Sequence, residues 1–154
     1  DTVRLLKYMS KSNLRSISNS FNCTSSELIS WLECLNLVRN VCCHNSDLLD
    51  IQFKTKPIIP SNYTDKLYRL SNGHFTNKIA VAIFIIQKLM LSVTVNYDFG
   101  AIEQSLFNII GRDESLAKSL GFANCATLSA LHVSKSRRKH QRNRRKSSKR
   151  RTRR

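Results

Sequence analysis

Three residues near the end of one helical stretch are of types that can do chemistry. They are Arg39, Asn40 and His44, in the run Arg39-Asn40-Val41-Cys42-Cys43-His44. A histidine titrates near neutral pH and can pass a proton to or from a ribose 2′-hydroxyl or a leaving oxygen. An arginine stays charged and can hold a phosphate as its charge develops. The asparagine could orient either group. Such a set suits cleavage of an RNA phosphodiester, which needs neither a metal nor a nucleophile of the protein's own. At about 100° per residue, Asn40 and His44 lie one turn apart on one face, whereas Arg39 sits about 140° from His44. An unkinked helix in one chain therefore does not bring Arg39 to His44, and the helix must end near Cys43 or the pair must converge with a second copy. A plain explanation stands beside this one. An Arg and a His near a helix C-terminus favourably meet the negative end of the helix dipole.

The elements that must position these residues are helical. Thr24-Ser25-Ser26-Glu27 places a capping Thr three residues before a Glu, so that each side chain satisfies an otherwise orphaned backbone donor. Behind it, Leu28, Trp31, Leu32, Leu35, Val38 and Cys42 recur every three or four residues, which predicts one buried helical face. No Gly or Pro interrupts the run before His44. Upstream, residues 2–9 read as a helix, and Lys11–Asn22 as a second, with Leu14, Ile17 and Phe21 at helical spacing. Downstream, Pro57 and Pro60 make residues 51–64 an extended connector. Residues 65–70 predict a short helical turn, and 71–74 a loop. Asn77–Val93 is apolar on nearly every side and predicts a buried central helix, being too long for a strand. Ala101–Ile110, ended by Gly111, and Asp113–Leu120, capped by Asp113 and stopped by Gly121, predict two more helices.

Charge divides the chain. The net charge is +16, from 26 Lys and Arg against 10 Asp and Glu, but 13 of the basic residues lie between Lys135 and Arg154, where there is no acid. The remainder, 13 basic and 10 acidic residues, carries only +3. The tail has no apolar residue with which to offset ordering entropy and is expected to be disordered alone. Its arginines and lysines (Arg137, Arg138, Lys139, Arg142, Arg144, Arg145 and Lys146) are candidates for phosphate neutralisation, salt-dependent and blind to sequence. With no aromatic residue there, base stacking is not expected. The expected division is a helical domain over 1–133 and a basic tail over 134–154.

At 154 residues the chain is long enough for one core. Starting at Asp1 on a helix-like run, it reads as a fragment or a processed product. No apolar run approaches the roughly 20 residues of a membrane span, so no membrane partner is expected. Five cysteines, two of them adjacent, do not suggest a disulfide framework and favour a reducing, cytoplasmic location. Cys42-Cys43-His44 is a poor metal motif, because adjacent cysteines on a helix point about 100° apart. A Cys nucleophile with His44 as base lacks an orienting third group. His74 and His132 read as loop and surface residues.

The run from Trp31 to His44, Trp-Leu-Glu-Cys-Leu-Asn-Leu-Val-Arg-Asn-Val-Cys-Cys-His, closely resembles the signature W-L-x-x-L-x-x-x-R-N-x-C-x-H of bacterial Abi-like abortive-infection proteins of the AbiD/AbiF type. Leu5–Leu14 resembles the family's helix and turn upstream of that signature. Pro57–Pro60, residues 63–70, Ile79–Val93 and Leu120-Gly121-Phe122 fall where the family has corresponding features. The resemblance covers roughly residues 1–122 and corresponds to the C-terminal portion of a longer protein. It implies membership of the HEPN superfamily, with an all-α, HEPN-like helical bundle and a metal-independent, cofactor-free endoribonuclease site, usually formed across a homodimer. It further implies a role in phage defence or a toxin–antitoxin system, RNA as substrate, and an antitoxin or guide-like non-coding RNA as a further partner. By position, Arg39 and His44 match the catalytic pair and Asn40 the polar residue that follows the Arg. The chain departs from the pattern at Asn45, where the family usually has a second His. It departs again at Asp47-Leu48-Leu49-Asp50, where the family commonly has R-L-W-N, so that an acid replaces a base beside a phosphate site. Two other readings remain: a degenerate homologue that binds RNA without cutting it, and a helical interaction module in which Arg39 and His44 serve packing and capping.

Overall fold

A computed structural model describes residues 2–44, 46–54, 56–94 and 97–132. Among these the fold is all-α, with α1 (Thr2–Tyr8), α2 (Lys11–Ser20), α3 (Ser25–Cys43), α4 (Ile79–Val93), α5 (Gly100–Ile110) and α6 (Glu114–Ser119). Short 3-10 segments occupy Ser61–Tyr63 and Cys125–Leu131. The basic residues Arg137 to Lys146, and the disorder expected of the tail, lie outside the described residues. No described helix is long and apolar enough to cross a membrane.

The core is built around α4. Its polar content is so low that Ile79, Ala80, Val81, Ala82, Phe84 and Ile85 are all buried, on several sides of the helix rather than one. Such a helix is stable only when neighbours cover it. Tyr63 stacks on Phe84 with ring centroids 4.8 Å apart, and Phe122 meets the same ring edge-on at 5.8 Å. α3 packs antiparallel to α4. At one end Ser92 Oγ, in the last turn of α4, donates to the carbonyl of Phe21, just before α3 begins. At the other, the Phe53 N–H in the segment after α3 donates to the Asn77 carbonyl, just before α4.

The capping box forms as expected: Thr24 Oγ1 accepts from the Glu27 N–H, and the Glu27 carboxylate accepts from the Thr24 N–H at 2.7 Å. The buried face of α3 differs from its expected composition. Leu28, Trp31 and Cys34 are buried, Leu35 and Val38 pack partly buried against the core, and Cys42 is exposed. In the last turn it is Val41 that packs against the core, and Cys42, one residue on, faces away from it.

Residues 65–70 are not the expected helical turn. Beyond Lys66 the chain makes isolated antiparallel bridges, Leu67 to Phe122 and Arg69 to Phe75, supported by bonds from the Tyr68 N–H to the Gly121 carbonyl and from the Ala123 N–H to the Lys66 carbonyl. Backbone groups that would have closed a local turn find distant partners instead. Gly121 is required here. Its φ is +99°, and a Cβ would lie 2.9 Å from Thr76.

Candidate functional site

α3 runs 19 residues without a break, about 28 Å; connector hydrogen bonds anchor its first half, and its last turn packs through Val41 while Arg39 and Asn40 face solvent. The anchor is the proline connector. Trp31 Nε1 donates to the Ile58 carbonyl at 2.6 Å, and the Ile58 N–H donates to Ser30 Oγ at 2.8 Å. On its other flank α3 packs against α1, with Lys7 Nζ bonded to Glu33 Oε1.

Arg39, Asn40 and His44 are all exposed at the far end. His44 is the C-cap, with φ −96° and ψ 12°, and its N–H donates to the carbonyls of Asn40 and Val41. The Ser46 N–H then closes on the Val41 carbonyl at 3.1 Å, so the chain turns off the helix axis immediately after His44. No bend precedes the cap. The helical register between Arg39 and His44 is therefore maintained, and with it their separation of about 140° around the axis. One chain does not bring these side chains together. Among the described residues, neither of them nor Asn40 makes a side-chain hydrogen bond or ion pair to the protein. They are presented to whatever meets the end of α3.

The neighbouring chemistry is mixed. Cys42 and Cys43 are exposed free thiols beside His44, while Cys34, in the core, has its thiol pushed up to about 12 by burial. All five cysteines are free. Asp47, three residues beyond His44, is exposed and uses Oδ1 to accept the Leu49 N–H at 2.7 Å in a local turn. Among the described residues no three His, Cys, Asp or Glu side chains gather closely enough to hold a metal ion.

Two features escaped the sequence reading. Gln87, a polar residue inside the apolar run of α4, is 1 % exposed and donates through Nε2 to the carbonyls of Ala130 and Leu131. Its polar type inside an apolar helix was the available signal. His132 is exposed, as its reading as a surface residue expected, but the contact that places its Nδ1 3.2 Å from Asp98 Oδ1 was not foreseen. No local pattern links residues 34 positions apart. His74 lies exposed in its loop.

Residues 1–50 match the family described as Abi-like protein. That third of the chain holds α1, α2, α3 and the whole of the Arg39–His44 turn. No curated protein and no solved structure matches the chain.

Proposed function

From an N-terminal third that is Abi-like, we propose that this chain is an abortive-infection protein of the HEPN type that cleaves RNA without a metal. The observation that carries the reading is the placement of Arg39 and His44 within the matched segment. Both stand unpaired among the described residues at the exposed end of a helix whose other end is fixed. Packing explains Leu28, Trp31 and Cys34 and leaves this pair without a structural task beyond a favourable interaction with the helix dipole.

Because one helix separates the two side chains around its axis, a homodimer supplies the missing half of each site, with Arg39 of one copy facing His44 of the other. In that arrangement the guanidinium holds the scissile phosphate and offsets charge as it builds on the non-bridging oxygens. The imidazole transfers a proton at the 2′-hydroxyl or at the leaving 5′-oxygen. Asn40, one turn before His44 on the same face, orients the imidazole or the phosphate. The tail residues Arg137, Arg138, Lys139, Arg142, Arg144, Arg145 and Lys146 add affinity through phosphate contacts without sequence preference.

Incubation of the full chain with single-stranded RNA in the presence of a chelator tests the reading. The wild type is expected to cleave and His44→Ala to lose at least about a hundredfold in rate, the usual scale of a general acid or base. Equal cleavage by the variant would overturn it.

A further inference from the structure

Ahead of the basic tail, charge is concentrated on the first two helices. From Thr2 to Ser26 there are four basic residues, Arg4, Lys7, Lys11 and Arg15, and no acid. From Glu27 to Ser134 nine basic residues meet nine acidic ones. The net positive charge of residues 2–134 therefore sits on α1 and α2.

On α2, Lys11, Ser12, Arg15, Ser16 and Asn19 follow one another at helical spacing and line one groove. Lys11 and Arg15 are exposed and make no ion pair among the described residues. Ser16 and Asn19 make no side-chain hydrogen bond among them either. Cations mixed with hydroxyl and amide groups are the side chains that contact a phosphodiester backbone.

An aromatic ring stands at the head of this groove. Tyr8 ends α1 and is 79 % exposed. Arg4 lies over one face of its ring at 5.9 Å, which leaves the other face open. Tyr8 precedes Lys11 by three residues, so their Cα atoms are at most about 11 Å apart. Its neighbour Lys7 is bonded to Glu33, which precedes Arg39 on α3 by a rise of about 9 Å. An open ring beside a cationic groove is the pairing that holds a single strand, base on ring and phosphates on the groove.

Other polyanions fit this face less well. A lipid surface takes a helix with its apolar side exposed, but every exposed position of α2 is polar, and Leu14 and Ile17 are half-buried. Leu5, the other exposed apolar side chain of α1, is too little for the apolar core of a protein interface.

We propose that α1 and α2 form a binding face for single-stranded RNA, with a base stacked on Tyr8 and the backbone held by Lys11 and Arg15. The choice of RNA rests on the nuclease reading. The test below reads binding without cleavage, so a chain that binds through this face and never cuts refutes only the nuclease.

The full chain carrying His44→Ala, which leaves bound RNA uncut, is titrated with fluorescent single-stranded and duplex RNA over a range of salt. Tyr8→Ala should weaken the single strand at least about fivefold and leave the duplex unchanged, because paired bases are not free to stack on a side chain. Tyr8→Phe should bind as the parent does. Lys11→Gln with Arg15→Gln should flatten the slope of log affinity against log salt by about 1.4, at about 0.7 per phosphate contact on a single strand. Arg112→Gln with Lys118→Gln removes the same charge from exposed positions near α6 and should change the slope far less. The proposal is overturned if the parent binds no RNA, or if Tyr8→Ala leaves the single strand unchanged or weakens the duplex equally. It is also overturned if the two charge-removing pairs act alike, or if the α1 and α2 variants lose only vesicles containing phosphatidylserine.

Discussion

Ile58 gives both of its backbone groups to α3: its carbonyl accepts the Trp31 indole N–H at 2.6 Å, and its N–H donates to Ser30 Oγ at 2.8 Å. Among the described residues no strand lies beside the extended connector between Pro57 and Pro60, and one turn of α3 supplies partners for the backbone of Ile58. This fixes the anchored half of the helix whose free end carries Arg39 and His44. Replacing Trp31 by Phe keeps most of the buried ring and removes the donor. The expected cost is about 1 kcal/mol of unfolding free energy, the net worth of one hydrogen bond. Trp31→Ala should cost about 3–5 kcal/mol through the cavity it leaves. Urea denaturation followed by circular dichroism reads both.

Cys34 makes a prediction about pH. Its thiol is pushed from 9.0 to about 12 by burial in the folded chain. The folded state therefore holds the proton more tightly than the unfolded one. The stabilisation this represents is full below pH 9 and is lost as the pH rises towards 12, by at most about 1.4 kcal/mol per pH unit for one group. Stability curves of the wild type and Cys34→Ala, made to coincide below pH 9 by subtracting the variant's constant cavity cost, should separate over that interval, with the wild type falling below the variant. In native protein at pH 8, a thiol reagent should modify Cys42 and Cys43 quickly and Cys34 only on unfolding, because the first two are exposed.

Asp47 sets an acid close to a site that would hold phosphate. Asp47→Asn keeps an acceptor for the Leu49 N–H and removes the charge. RNA affinity at low salt should rise roughly twofold to fivefold, since a unit charge at about 4 Å in water is worth on the order of 1 kcal/mol. The gain should shrink as salt screens it. Filter binding at two ionic strengths measures this, and an unchanged affinity at low salt would place Asp47 away from the bound strand.

The helical plan was legible where signals were local. The Thr24–Glu27 box, the absence of Gly and Pro from 25 to 44, and the apolar run of α4 each follow from residues that are near one another in sequence, and each appears where those residues place it. Two of the failures share one physical origin. Leu67 pairs with Phe122 and Gln87 with the carbonyls of Ala130 and Leu131, and nothing within a few residues of 67 or 87 encodes a partner more than 40 positions away. Cys42 kept the right spacing for burial and is exposed because the last turn packs through Val41 instead. As for the site, the residue types and the angle that keeps Arg39 from His44 were readable from the sequence, whereas the exposure of the helix end was not. What closes that angle is a property of two chains, and the sequence of one does not contain it.

The most direct test of a site shared between copies mixes two inactive variants. Arg39→Ala and His44→Ala, each expected to be inactive alone, are denatured together in equal amounts and refolded, then assayed on single-stranded RNA. In a mixed dimer, one composite site receives Arg39 from the second variant and His44 from the first, and is intact. Random pairing then predicts recovery of about a quarter of wild-type activity. If the mixture stays as inactive as either variant while the refolded wild type cleaves, Arg39 and His44 do not meet across a dimer, and the account is contradicted.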